Sequence, residues 1–280
     1  MARLKIEKAL NNNVLIAEHP AYNEVVIIGK GIGFNRRQGD FIDTDNVEKL
    51  FVLKNEKAQE NYIKLLPFLD QNFHEVIIST MDLIKQRTNS VLNEHIHVAL
   101  TDHLMFALTR ASQGMEMRNP FLVETKALYR REYEVAKEVV ELIKQKTGLA
   151  LPEGEIGFIA LHIHSALTNK ELSEVNQHSQ LISRLVEMVE RQFDIEIDRE
   201  SIDYMRLVRH LRFTIERVKK GERVEEPEKI ATLLKTEYPI CYNLAWKLIK
   251  VMQHTLKMKV FDAEAVYLTM HLQRLQTKYK

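Results

Sequence analysis

The sequence predicts a multidomain protein, a small antiparallel β-sheet followed by two homologous all-α helical-bundle domains. Three observations support that expectation. The first 55 residues alternate short β-branched clusters with turn formers, the remainder has helical periodicity, and the helical part repeats itself after 107 to 109 residues. The expected domains are 1–58, 60–169 and 170–280.

In the N-terminal part the apolar clusters are Val14–Ala17, Glu24–Ile28 and Leu50–Leu53. Asn11–Asn13, His19–Asn23, Gly29–Gly33 and Gln38–Asp40 separate them. Short β-branched runs between Asn- and Gly-rich turns fit strands, because branched side chains pack well on a pleated surface. Four of the nine glycines fall here. So small a sheet buries little surface, so dimerisation is expected.

Beyond residue 58 the spacing becomes helical. Tyr133, Ala136, Val139, Val140 and Ile143 place one apolar stripe on a helix over 129–146, with Gly148 as its stop. The next helix begins within Leu151–Glu155, with Pro152 near its first turn. Asp102–Phe106 reappears as Arg209–Phe213, and Glu155–His162 as Glu264–His271. Between them, Glu132-Tyr133 with Ile143-Lys144 is echoed by Glu237-Tyr238 with Ile249-Lys250. The period is too long for a solenoid and suits a duplicated domain, with a linker at Leu167–Ser173.

Composition excludes several classes. Forty Lys and Arg against 39 Asp and Glu rule out a uniformly basic coat protein and an acidic tail. The single cysteine, Cys241, cannot form an internal disulfide or a CxxC site and fits a reducing cytoplasm. No apolar run approaches the roughly 18–20 residues of a membrane span, and Met1–Ile6 holds no signal-peptide core.

Each helical copy has two histidines at matched places, His103 and His162 in the first, His210 and His271 in the second. One reading is structural, half-buried rings tying helices together. Recurrence in both copies favours chemistry, and a histidine can exchange protons, bind metal or accept a phosphoryl group. Metal is the weakest choice, because His95-x-His97 and His162-x-His164 project to opposite sides of a helix. A catalytic dyad is unsupported too, since Asp102 beside His103 is replaced by Arg209 beside His210. His19, His74, His95, His97, His164, His178 and His254 have no partner in the repeat and read as surface or packing residues.

The loop Gly29-Lys-Gly-Ile-Gly33 lacks the Gly-Lys-Ser/Thr ending of a phosphate loop. Nucleic acid suits this region better. Residues 1–39 hold six basic against three acidic side chains, Asn11–Asn13 offer amides for base edges, and Phe34 offers a stacking face. A basic, solvated hairpin is the alternative on composition alone.

Together these residues resemble a known family. Leu10-Asn-Asn-Asn-Val14, Gly29–Phe34 and Arg36-Arg37 are similar to the co-antiterminator (CAT) RNA-binding domain of the BglG/SacY/LicT transcriptional antiterminators. Thr101-Asp-His103, Ala160-Leu-His162, Val208-Arg-His210 and Thr269-Met-His271 resemble that family's two phosphotransferase-system regulation domains, or PRDs. Leu92–His97 and Leu161–Leu167 are most similar to its glucose-operon branch.

The resemblance implies a non-enzymatic switch without a cofactor or metal, acting in the cytoplasm as a homodimer. The sheet would clamp an RNA hairpin of a nascent leader transcript and prevent termination ahead of a sugar-permease gene. Its RNA-facing set would be Lys8, Asn11, Asn13, Gly29, Lys30, Gly31, Phe34, Arg36 and Arg37. His103, His162, His210 and His271 would be phosphorylated by phosphocarrier HPr or by the permease's IIB domain, with Arg209, Arg212 and Arg274 as possible phosphoryl receivers. The alternatives are a PRD-containing DNA-binding regulator, against which no helix-turn-helix precedes residue 60, and a histidine-dependent metalloenzyme.

Overall fold

A computed structural model describes residues 3–29, 31–47, 49–51, 71–93, 95–223, 225 and 227–279. Lys30 and the expected boundary near residue 59 lie outside the described residues.

Five strands form one sheet: β1 (Arg3–Asn11), β2 (Val14–His19), β3 (Asn23–Ile28), β4 (Phe41–Asp43) and β5 (Lys49–Phe51). Their order is β4-β1-β2-β3-β5, and every neighbouring pair is antiparallel. The sequence reading located β2, β3 and β5 but did not single out β1, the longest strand. Its charged residues dilute the apolar pattern, yet Leu4 and Ile6 are fully buried.

β1 is not a regular strand. Ile6 pairs with Ala17 and Lys8 with Ile16, so Glu7 is an extra residue in a β-bulge. Strict alternation would put Lys5 and Lys8 on opposite faces. The bulge puts them on the same one, opposite Glu18 and Ile16.

Both faces of the sheet are buried, which explains the unbroken apolar runs of β2 and β3. Leu4, Ile6, Leu15, Ala17, Val25, Ile27 and Ile42 form one core with Ile32 of the following loop. On the other face Val14, Val26 and Ile28 meet Phe73, Ile78, Val98 and Met105. The last four belong to α1 (Gln71–Thr88) and α2 (His95–Ser112).

Eight more helices follow among the described residues: α3 (Leu122–Leu128), α4 (Arg130–Thr147), α5 (Glu153–Thr168), α6 (Leu172–Phe193), α7 (Ile202–Lys220), α8 (Glu228–Glu237), α9 (Pro239–Leu256) and α10 (Ala263–Tyr279). The expected stripe on α4 is present, with Tyr133, Ala136, Val139 and Ile143 buried and Val140 half-buried. Pro152 stands just before α5, as expected. α7 starts where the Ser201 hydroxyl accepts a hydrogen bond from the Tyr204 N–H at 3.2 Å.

Two compact units emerge, residues 1–117 with 137–155, and residues 118–136 with 156–280. The second has a continuous core in which Phe121, Leu128, Tyr129 and Leu161 join apolar residues of α6, α7, α9 and α10.

One close approach fixes α5 in that unit. A Cβ on Gly157 would lie 2.5 Å from Asn119 Nδ2 and 2.7 Å from Leu122 Cδ1. Alanine is the better helix former, but the ends of the Asn119 and Leu122 side chains must move to admit it. Gly157→Ala is expected to lower stability by about 1 kcal/mol or less in chemical denaturation; a raised midpoint would contradict this packing.

Candidate functional site

The loop after β3 is built from backbone hydrogen bonds to β1 and its turn. Asn13 accepts from Gly29 N–H on its carbonyl at 3.0 Å and from Gly31 N–H on Oδ1 at 2.7 Å, while Asn12 accepts from Gly33 N–H at 2.9 Å. At its far end the loop exchanges two bonds with Ile6, Ile6 N–H to Asp40 O at 2.8 Å and Gly39 N–H to Ile6 O at 2.7 Å. Gly29, Gly31 and Gly33 are therefore tied to the turn after β1, and Gly39 and Asp40 to β1 itself. Gly31 adopts φ +69° in open space, a backbone state that costs glycine nothing.

This frame sorts the sequence-predicted residues. Phe34 is 64% exposed, an unusual position for a phenylalanine, and Arg36 and Arg37 are exposed beside it. Gly29 is buried, Gly31 exposed, and Lys8 is exposed on β1. Asn11 ends β1 opposite Val14. Asn13 is buried, and its Oδ1 organises the glycine loop. Lys5 sits between Glu7 and Glu18 at 3.6 and 3.7 Å, so local carboxylates balance its charge.

The matched histidines lie on helices that bring a carboxylate from elsewhere in the chain. In the first copy His103 Nε2 on α2 is 2.8 Å from Glu155 Oε2, in the first turn of α5. Arg110, two turns after His103, holds the other oxygen at 2.7 Å. Burial pushes the Glu155 pKa up, but His103 and Arg110 outweigh it and keep the carboxyl below its ordinary range.

The second copy repeats the arrangement. Arg217, two turns after His210 on α7, grips Glu264 of α10 with Nε at 2.9 Å and Nη2 at 2.8 Å. Thr214 also donates to Glu264 at 2.7 Å, and His210 Nε2 stands 3.8 Å from the carboxylate. The counterpart of Thr214 is Ala107, and there the histidine meets the acid directly. His210 and His271 stack with ring centroids 4.7 Å apart. Burial and the facing His271 hold the His210 pKa well below its ordinary value, and burial with Arg274 lowers that of His271. His162 is buried on α5.

Sequence reasoning missed these acids because it sought them next to the histidines. The signal was present: Glu155 and Glu264 lie inside the repeat, and an arginine follows each first histidine by seven residues. A carboxylate facing an imidazole orients the ring and can take its proton when the other nitrogen bonds to an electrophile.

His164 fits the structural reading. It is buried, its Nδ1 is 2.8 Å from Glu132, and its ring lies 4.1 Å from that of Tyr129. Arg212 lies nearby, donating to Leu128 O at 2.9 Å and Glu216 at 3.2 Å. His178 is buried as well, and desolvation lowers its pKa to about 4.

Comparison with known proteins follows this layout. A family model described as CAT RNA binding domain matches residues 4–60, and one described as PRD domain matches 79–166 and 183–275. The chain is 59% identical over 273 residues to the PtsGHI operon antiterminator of Bacillus subtilis, covering 98% of this chain and 97% of that one. It is 41% identical to the GlcA/glcB genes antiterminator of Staphylococcus carnosus, covering 97% and 96% respectively. A solved structure described as GlcT CAT-PRDI shares 55% identity at a TM-score of 0.54, covering 60% of this chain and all of that one.

The half-buried His210 gives a pH test. Its folded pKa is depressed, so as pH falls through about 6.5 the unfolded chain takes up a proton that the folded one refuses, and stability drops. In an NMR titration His210 should stay neutral below pH 6, and His210→Gln should flatten the acid-side loss of stability. A ring titrating near 6.5 would contradict the desolvated geometry.

Proposed function

The chain belongs to the transcriptional antiterminator family that joins a CAT RNA-binding domain to PRD domains, and from that premise we propose how its parts work. The N-terminal sheet, as a homodimer in the cytoplasm, binds a hairpin in a nascent leader transcript. Holding that hairpin prevents intrinsic termination ahead of a glucose-permease gene. The chain is not an enzyme; its histidines receive phosphoryl groups rather than turn over a substrate. The domains are 1–58, 60–169 and 170–280.

The observation that best supports regulation by phosphorylation is the repeated His–Glu–Arg arrangement, His103–Glu155–Arg110 and His210–Glu264–Arg217. Each places a neutralisable ring against a buried carboxylate. Phosphorylation adds about −1.5 to −2 charge, which cannot sit beside that carboxylate without rearrangement. Phosphocarrier HPr and a permease IIB domain are the proposed donors. His103, His162, His210 and His271 are the proposed acceptors.

RNA contact falls to Lys8, Asn11, Asn13, Gly29, Lys30, Gly31, Phe34, Arg36 and Arg37, with Asn13 also holding the loop in shape. Phe34→Ala should weaken hairpin binding by about 1–3 kcal/mol, the scale of one lost stack. Lys5→Ala, already balanced by Glu7 and Glu18, should cost less. Equal losses, read by titration with the gene's own leader hairpin, would reduce the interface to diffuse electrostatics.

The decisive experiment follows readthrough of the terminator in cells. His103→Ala removes an acceptor without adding charge, so readthrough should become independent of the sugar. His103→Asp supplies part of the phosphoryl charge and should reduce readthrough. A folded, RNA-competent His103→Ala protein that stays sugar-dependent would shift the inhibitory role to His162.

A further inference from the structure

The two copies differ at one end of their histidine pairs. On α7, Asp203, Arg206 and His210 recur at i, i+3 and i+7, and on α10 His271, Arg274 and Lys278 do the same. Two faces meet here. The rings stack, the Arg217–Glu264 fork lies on one side of them, and Asp203, Arg206, Arg274 and Lys278 line a neighbouring groove of about 640 Å³, from which Arg274, Arg206 and Asp203 act on His271 by their charge.

In that groove the Asp203 carboxylate holds three cations, Lys278 at 3.3 Å, Arg206 at 3.6 Å and Arg274 at 3.8 Å. The cations are about half exposed, with side chains 48%, 47% and 60% accessible. Two further carboxylates line the groove and are engaged elsewhere: Asp198 accepts from Glu200 N–H at 2.9 Å, and Glu200 pairs with Lys126 at 3.5 Å. Asp198 keeps its charge, so the three cations face two carboxylates not paired outside the groove, an excess of one. A phosphoryl group would meet that excess, and the arginines offer planar forks for its oxygens.

The first copy has no such set. The repeat offsets bring Asp203, Arg206, Arg274 and Lys278 onto Ile96, Ala99, Ser165 and Asn169.

We propose that Arg206, Arg274 and Lys278 form a receiver for a phosphoryl group on His271, and that Asp203 keeps the three cations gathered while the ring is bare. This rests on the reading of His271 as an acceptor. The receiver gives phosphorylation of the second copy a docked product, whereas in the first copy the arginine beside His103, Arg110, is already committed to Glu155. The duplicated domains thus answer the same modification differently.

The test treats the full-length protein with phosphoramidate. A ring nitrogen's lone pair forms the new P–N bond, the reagent's P–N bond breaks, ammonia leaves, and the ring's N–H proton passes to solvent. Mass spectrometry locates the group, and ³¹P NMR follows its second ionisation, ordinarily near ~6. In the folded protein the phosphoryl on His271 should titrate about one unit lower than in the same phosphoprotein unfolded in urea, because facing cations favour the dianion. Arg206→Gln with Arg274→Gln should remove that shift, and Asp203→Asn should retain or deepen it. A phosphorylated His271 that titrates alike folded and unfolded, or alike in wild type and the arginine variant, overturns the receiver and leaves the acceptor intact. Absence of phosphate from His271 overturns both.

Discussion

A buried carboxylate must be paired or give up its charge, and that constraint organises the helical part of this protein. Glu155 and Glu264 each enter at the first turn of a helix and are almost wholly buried. Each is held by an arginine two turns beyond a histidine on another helix. The ion pair that keeps the acid charged therefore also fixes the histidine's helix against it. Structural support and chemical sensitivity are the same contact, so a new charge on the ring acts on the packing itself.

The N-terminal sheet works differently. Its energy comes from two apolar faces, while the basic and aromatic residues project from a loop pinned by backbone hydrogen bonds. Shape is set by Asn12, Asn13, Ile6 and the glycines between. The Phe34, Arg36 and Arg37 side chains stand at the surface, where Arg36 makes one long bond to Phe41 O at 3.4 Å, so they can be specialised for a ligand with little disturbance to the sheet.

What was legible in the sequence was whatever has a period. The duplication, the histidine positions, the stripe on α4 and strands β2 and β3 all followed from spacing, and the whole-chain family resemblance was borne out. What escaped was whatever depends on meeting across the chain. Glu155 meets His103 from 52 residues away, and nothing near His103 announces it. The part Asn13 plays in pinning Gly31 through its Oδ1 likewise has no signature in the local sequence. Arg212 looked free and is bonded to Leu128 and Glu216. Residue type suggests a repertoire of contacts; only packing selects among them.

The bulge at Glu7 bears on how relatives of this chain can differ. A strand read by alternation has a parity, and β1 shifts it twice, between Ile6 and Lys8 and again between Ala9 and Asn11. A relative could replace Glu7 by many side chains and keep the strand's two sides as they are. A relative lacking one residue there would send Lys8 and Leu10 to the wrong sides of the sheet while every individual amino acid still looked acceptable. Through β1, chain length carries information that composition does not, and an alignment gap inside Arg3–Asn11 signals more damage than several mismatches.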